Sequence, residues 1–187
     1  EKVRCGWAFK PLDMEYHDTE WGVPVHDDSK LFEFLVLDAF QAGLSWSTIL
    51  AKRENFRKAF DNFDYQKIAK YNQHKIDELL QNEGIIRNKL KINATIGNAK
   101  AFMQIQKQFG SFDKYIWSFT DGKSIINKWE TMKDIPATSP ESDAMSKDLK
   151  KRGFKFVGST ICYAFMQAAG MVNDHLTSCF RYKEVYK

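Results

Sequence analysis

Two cysteines and two histidines stand at opposite ends of the chain. Cys5 and His17 lie near the N-terminus, and His175 and Cys179 lie four residues apart near the C-terminus. That spacing places the second pair on one face of a helical turn, and two sulfurs with two imidazoles would complete a tetrahedral zinc shell. The pattern alone leaves two interpretations open, which are a zinc site or buried thiols beside capping or core histidines. A zinc ion with four protein ligands would be structural rather than catalytic, because no position is left for water.

Aromatic residues accompany one carboxylate in the first quarter of the chain. Trp7, Tyr16 and Trp21 lie near the N-terminal cysteine and histidine, and Trp46 begins a later helix. Asp38 projects from the most apolar helix, and an aspartate there must pair with a basic group, cap a backbone or line a cavity. Aromatic residues at helical spacing usually belong to the core. With a carboxylate, however, they also form a receptor for a flat cationic ring such as an alkylated purine.

A glycine-bounded turn carries the densest basic cluster. Gly158 and Ser159 open a helix whose N-terminal amides can face a phosphate, and Lys151 and Lys155 are placed to contact the DNA backbone. A solvated basic face with an ordinary turn is the alternative. The basic residues of the cluster are Lys147, Lys150, Lys151, Arg152 and Lys155.

Helical periodicity and capping residues predict the elements that must position these groups. The N-terminal segment reads as irregular. Residues from about Thr120 to Pro140 read as a loop with a small hairpin around Asp121-Gly122. The predicted helices run from Asp28 or Ser29 to Phe40, from Ser45 to Phe60, in two short pieces capped by Asp64 and Asn72, from Asn88 to Gly110, from Ser142 to Arg152, and from Gly158 to Gly170. Gly43 separates the first two helices.

Composition bounds the class of protein. The chain has 187 residues, of which 43% are hydrophobic, so we expect one all-α domain over residues 1–187. No run of about 18 apolar residues or secretory signal is visible, which predicts a soluble, cytoplasmic protein without membrane contact. We separately expect a monomer. Three cysteines disfavour a disulfide framework, and the net charge of +4 suits a polyanion without singling one out.

Seven collinear segments, which cover almost the whole chain, together resemble 3-methyladenine DNA glycosylase I, the Tag family. They are Cys5-Gly6-Trp7, Tyr16-His17-Asp18, Glu20 to Pro24, Gln41 to Trp46, Gly84 to Arg87, Lys150 to Gly158, and Asn173-Asp174-His175. The resemblance implies a helix-hairpin-helix fold, repair of alkylated double-stranded DNA, and release of free 3-methyladenine by hydrolysis of its N-glycosyl bond. It also implies a structural zinc ion, whose ligands match Cys5, His17, His175 and Cys179.

The resemblance also maps the working parts of the family onto this sequence. It implies a base pocket formed by Trp7, Tyr16, Trp21, Trp46 and position 38, and a DNA-penetrating turn that contains Gln41, Gly43 and Leu44. The family commonly has Glu where this chain has Asp38, so either the pocket is tighter or a water fills the gap. After the nucleotide is flipped out, Asp38 is expected first to recognise the base by accepting its N–H hydrogen bonds. Its catalytic role would be to stabilise an oxocarbenium-like sugar or to orient water.

Three alternatives bear on this assignment. Asp174 is a competing acid, although its neighbour His175 suggests that it orients the metal turn. A non-catalytic helix-hairpin-helix module that binds damaged DNA is a second possibility, which the aromatic pocket disfavours. A zinc hydrolase is the third, which a closed four-ligand shell disfavours.

Overall fold

The computed structural model describes residues 2–185 and is mostly helical, as predicted. Strand content is small, with two strands of two residues each. Within the described residues, no helix combines the length and the apolar composition needed to cross a membrane. The α-helices are α1 (Pro11–Thr19), α2 (Asp28–Gln41), α3 (Trp46–Ala51), α4 (Arg53–Ala59), α5 (Tyr65–Ile68), α6 (Gln73–Leu80), α7 (Lys89–Phe109), α8 (Phe112–Trp117), α9 (Pro140–Lys151) and α10 (Ser159–Ala168).

Helix α2 is the centre of the core. Every residue from 31 to 40 is buried, and the helix contacts α3, α7, α8 and α10. The predicted N-cap is one or two residues too late, because the Asp27 carboxylate accepts the hydrogen bond from the Lys30 amide at 3.0 Å. Asp28 instead accepts from the backbone amides of Phe112 and Asp113 at 3.0 and 2.8 Å. It thereby joins the start of α2 to the start of α8.

The predicted helix from Ser45 to Phe60 is two helices. The Ser45 hydroxyl caps α3 as expected, but Lys52 adopts φ −98° and ψ 0° and breaks the helix. The break allows Arg53 to turn towards the end of α1, where it donates two hydrogen bonds to the Glu20 carboxylate at 2.8 and 2.7 Å. A tertiary ion pair therefore ends a helix that the local pattern would have continued. Three other predicted caps, Asp64, Asn72 and Asn88, are confirmed.

Helix α9 begins three residues before the predicted cap. Ser139 is the N-cap, Pro140 occupies the first helical position, and Ser142 completes a reciprocal capping pair with Ser139. Proline is favoured at that position because its missing amide hydrogen would have no partner there. After α9, residues 152–158 form a tight turn into α10, and the two helices pack against each other.

The predicted hairpin at Asp121-Gly122 is wrong. Asp121 and Gly122 have φ of 53° and 75° and close the 3₁₀ helix Ser118–Thr120. The following strand β1 (Ile125–Ile126) pairs in parallel with β2 (Val172–Asn173), which follows α10. A second 3₁₀ helix, Met132–Asp134, lies in the same connection. This connection is therefore joined to the C-terminal segment rather than to itself.

The N-terminal segment is not irregular, because α1 lies within it. Pro11 occupies the first turn of this helix, and Tyr16 and His17 are buried on it. Adjacent residues of a helix point in directions about 100° apart. Tyr16 can therefore face a cavity while His17 faces the C-terminal segment.

Candidate active site

A cavity of about 430 Å³ lies between α1, α2, α3 and α10. The structure brings together all five residues that the resemblance assigned to the base pocket, together with Gln41. Sequence reasoning missed the remaining residues. The full lining is Trp7, Asp13, Tyr16, Trp21, Asp38, Gln41, Trp46, Ser47, Met132, Ile135, Ala164, Gln167 and Ala168.

Asp38 is the carboxyl at the inner wall of this cavity. Its side chain is almost fully buried, with 2% of the residue exposed, and its Oδ2 atom has no hydrogen-bond partner among the described residues. Burial raises the pKa of Asp38 well above its ordinary value, because a charge without water or a partner is costly. Burial therefore favours the uncharged form of this carboxyl, whereas a cation bound in the cavity would favour its ionised form.

Unpaired polar atoms are concentrated in the cavity. The described residues contain four buried side-chain nitrogen or oxygen atoms without a partner, and three of these belong to Tyr16, Asp38 and Trp46. The fourth is Nε of Arg181. Buried polar groups are nearly always hydrogen-bonded, so a hydroxyl, a carboxyl and an indole N–H that line one cavity indicate a polar ligand.

The aromatic side chains contact one another across the cavity. The ring centroids of Tyr16 and Trp46 are 5.4 Å apart at an interplanar angle of 44°, and those of Trp7 and Trp21 are 5.1 Å apart, edge to face. To hold a flat base between them, two parallel rings must lie about 7 Å apart, which is twice the van der Waals contact distance. Tyr16 and Trp46 must therefore separate before they can sandwich a base.

A second carboxylate lines the cavity and was missed by sequence reasoning. Asp13 is 4% exposed, and its Oδ2 accepts a hydrogen bond of 2.7 Å from the Ser47 hydroxyl. This bond joins α1 to α3 beside the Tyr16 and Trp46 rings. Asp13 precedes Tyr16 by three residues, so a helical reading of the N-terminal segment would have placed both on one face.

The four predicted metal ligands meet in one buried cluster. The ligand atoms of Cys5, His17, His175 and Cys179 all lie within 4.8 Å of one another. Cys179 Sγ is 3.4 Å from His17 Nε2 and 3.5 Å from His175 Nδ1, and Cys5 Sγ is 3.6 Å from His175 Nδ1. Sulfur and nitrogen ligands of a tetrahedral zinc ion are separated by about 3.6 Å. The donor set and its spacing therefore fit such an ion.

The outward nitrogen of each histidine has its own partner. His17 Nδ1 lies 2.8 Å from Asp18 Oδ1, and Arg4 donates to the same carboxylate. His175 Nε2 lies 2.8 Å from the Trp21 carbonyl. Partners of this kind fix the tautomer of a metal-binding imidazole and orient its other nitrogen towards the ion. The predicted helical turn at His175 and Cys179 is wrong, since the segment forms non-helical turns, but the spacing still brings their side chains together.

Asp174 does not line the cavity. Its buried carboxylate accepts four hydrogen bonds, which leaves little capacity for a substrate. This arrangement ties α10 to the connection that holds β1, and the predicted orienting role beside His175 stays a prediction. The donors are Asn127 at 2.7 Å, Trp129 at 2.8 Å, Tyr163 at 2.5 Å and Gln167 at 3.0 Å.

Leu44 occupies an exposed turn after α2. The turn depends on Gly43, whose φ of 82° favours glycine, and Leu44 is 39% exposed. An exposed leucine beside a cavity is consistent with the predicted DNA-penetrating turn. Gln41 links the two features, because it ends α2 and lines the cavity.

The predicted phosphate contacts surround the turn between α9 and α10. Lys151 and Lys155 are exposed, and Asn98 exchanges two hydrogen bonds with the Lys155 backbone. Gly158 is the N-cap of α10. The Ser159 hydroxyl donates to Asp143 at 2.6 Å. The Ser159 backbone amide is therefore the group available to bind a phosphate.

The other two histidines and the third cysteine lie apart from the metal-ligand cluster. His26 and His74 are exposed, and Cys162 is fully buried in the core. None of the three joins the metal-ligand cluster.

The family model for methyladenine glycosylase matches residues 7–182, and the chain belongs to this family. It is 50% identical over 180 residues to DNA-3-methyladenine glycosylase 1 of Escherichia coli (strain K12), with 96% of each chain covered. It is 48% identical over 178 residues to DNA-3-methyladenine glycosylase of Haemophilus influenzae, covering 95% of this chain and 96% of that one.

Solved structures agree with this membership. A crystal structure of 3-methyladenine DNA glycosylase I superposes with a TM-score of 0.93 at 52% identity, covering 95% of this chain and 98% of that one. A tyrosine-to-phenylalanine variant of a second such enzyme, crystallised in complex with 3-methyladenine, gives a TM-score of 0.92 at 35% identity, with 95% and 96% covered.

The raised pKa of Asp38 predicts a specific pH dependence of stability. The folded protein binds a proton at Asp38 that the unfolded chain releases near its ordinary pKa, so this contribution is present at acidic pH and is lost as pH rises. Asp38→Asn lacks the titration. We expect its melting temperature to match that of the wild type near pH 4 and to exceed it at pH 8, by a difference that grows as the pH rises between these two values. A difference that does not change with pH would contradict the buried, unpaired carboxyl.

Proposed function

We propose that this protein excises 3-methyladenine from alkylated DNA by hydrolysing its N-glycosyl bond, leaving an abasic site for base-excision repair. The observation that carries this proposal is the unpaired, buried carboxyl of Asp38 inside an aromatic cavity. The family membership and the names of the relatives support the same reaction. We further propose that residues 1–187 act as one domain.

The chemistry requires little from the protein because the damaged base is already cationic in DNA. When the bond from the base to the sugar breaks, its electron pair stays with the base, which leaves as neutral 3-methyladenine. Water bonds to the sugar carbon and loses a proton. The protein must hold the cation, and aromatic faces with a carboxylate do this through cation–π attraction and hydrogen bonding.

Asp38 acts first as the residue that recognises the base. A cation beside it lowers the pKa that burial has raised, so the carboxyl loses its proton and accepts a hydrogen bond from the exocyclic amino group. The resulting carboxylate also stabilises positive charge that develops on the sugar. Neutral adenine carries the same amino group but no positive charge to favour the carboxylate, so its interaction with Asp38 is weaker, which gives the site a preference for the methylated base.

DNA is engaged by two surfaces. Leu44 fills the stack that the flipped nucleotide leaves, because it is exposed on the turn that follows the cavity-lining residue Gln41. The α9–turn–α10 unit acts as the helix-hairpin-helix motif. In it Lys151 and Lys155 contact phosphates, and the amides after Gly158 point at the backbone.

One structural zinc ion is bound by the cluster of Cys5, His17, His175 and Cys179. Zinc would supply chain closure here and no catalytic chemistry, because the protein provides all four ligands. Closure places Trp7, on the same segment as Cys5, and Trp21, whose carbonyl contacts His175, at the cavity. The metal thus positions two residues of the pocket without itself contacting the base.

A non-catalytic module that binds damaged DNA is the rival function, and release of free base separates the two. We expect the wild type to release 3-methyladenine, and no 7-methylguanine, from methylated duplex DNA. Asp38→Asn should retain binding to the DNA yet lose about a hundredfold or more in release, because the amide cannot become a carboxylate. Chromatography of the released bases measures release, and an electrophoretic mobility-shift assay measures DNA binding.

Two outcomes would contradict this assignment. Strand breaks or an absence of free base from the wild type would remove the glycosylase function. A folded Asp174→Ala protein that has lost release, beside an active Asp38→Asn protein, would show that Asp174 is the essential acid.

Removing one metal ligand should reduce stability before it affects activity. Cys5→Ser and Cys179→Ser should purify without zinc, and their free energy of unfolding should fall by up to about 5 kcal/mol in the loop-entropy model. Metal analysis and urea titration measure these changes. Cys162→Ser is the matched control, since Cys162 is buried outside the cluster, and it should keep its zinc. A wild-type protein without zinc, or a zinc-loaded Cys5→Ser protein, would refute the site.

A further inference from the structure

Lys91 reaches from α7 to the end of α2. The residue is 7% exposed, and its Nζ donates hydrogen bonds to the carbonyls of Phe40 and Ala42 at 2.8 and 2.7 Å. The last carbonyls of a helix have no partner inside the helix. One ammonium group therefore satisfies two carbonyls where α2 passes into the Gln41–Leu44 turn.

The backbone of Lys91 is itself held in place by hydrogen bonds. The Lys91 amide donates to the N-cap Asn88 at 3.0 Å, and its carbonyl accepts from the Thr95 hydroxyl at 2.8 Å. The next residue, Ile92, is fully buried in the core. Lys91 is thus a bridge from a rigid helix to an exposed turn.

The two carbonyls that Lys91 binds lie between the two groups on which base flipping depends. Asp38 precedes Phe40 by two residues, and Leu44 follows Ala42 by two residues. The Leu44 amide donates to the Gln41 carbonyl at 2.7 Å, which keeps this stretch compact. A displacement of the turn would therefore change the position of Leu44 relative to the cavity.

We infer that Lys91 is a positioning residue for base flipping, which holds the Gln41–Leu44 turn where Leu44 can enter the DNA stack as the damaged base enters the cavity. The inference rests on the proposed function. Lys91 is too buried to act as a phosphate contact, so its effect passes through the turn. Without the ammonium, water would bind both carbonyls and the turn would occupy other positions.

Lys91→Met tests this role because it keeps the chain length and removes the donors. Release of 3-methyladenine from methylated duplex DNA should fall by about tenfold to a hundredfold, as expected for a misplaced group. The Kd for free 3-methyladenine should stay within about twofold, because Asp38, Tyr16 and Trp46, which are proposed to hold the base, lie outside the Gln41–Leu44 turn. Lys100→Met, an exposed lysine on the same helix, is the matched control and should release base at the wild-type rate.

A double-mutant cycle shows whether Lys91 acts through Leu44. The double variant Lys91→Met, Leu44→Ala should release 3-methyladenine no more slowly than Leu44→Ala alone, since both changes remove the same function, the insertion of Leu44 into the stack. Losses that multiply would overturn the inference. So would wild-type release by Lys91→Met, or an equal loss of free-base binding, which would indicate general damage to the fold.

A second variant covers the case in which Lys91→Met does not fold. Lys91→Arg keeps the charge and alters the geometry, and it should show a smaller loss with the same non-additivity towards Leu44→Ala; losses that multiply would again overturn the inference. A wild-type protein that releases no base would instead refute the proposed function, and the positioning role with it.

Discussion

Asp38 is a carboxyl that the fold buries at the wall of a cavity, and its Oδ2 atom has no hydrogen-bond partner among the described residues. A group of this kind costs free energy and remains in place only when the surrounding structure is rigid. Helix α2 provides that rigidity, since all its residues from 31 to 40 are buried. The other features of the site follow from this constraint. The aromatic rings exclude water from the carboxyl, and the N- and C-terminal segments close over the helix and complete the cavity.

Closure of the chain ends serves the same pocket. The contact of His175 with the Trp21 carbonyl and that of His17 with Cys179 join the two segments at the side of the cavity that holds Trp7. Elsewhere, α7 supports the end of α2 through Lys91. Long-range contacts thus hold the segments that form the pocket, whereas the exposed turn and the α9–α10 unit carry the side chains that we propose contact DNA.

The sequence predicts the parts of this structure that depend on local interactions. The caps at Ser45 and Asn88 follow from hydrogen bonds that span three residues. The family motifs contain the aromatic residues of the cavity and three of the four members of the buried cysteine and histidine cluster. The parts it misses depend on distant partners. The ion pair of Arg53 with Glu20 breaks a helix whose local pattern is continuous, and β1 pairs with a strand 47 positions later. The roles of Asp13 and Lys91 depend on their contacts with α3 and α2, which are distant in the sequence.

The central claim is that an uncharged Asp38 becomes a carboxylate when a cationic base binds. Calorimetry with 3,9-dimethyladeninium, a permanently cationic analogue of the methylated base, tests this claim directly if it is repeated in buffers of different ionisation enthalpy. The account predicts that the wild type releases about one proton for each cation bound near neutral pH and that Asp38→Asn releases none. Binding of the cation by the wild type without proton release would contradict it.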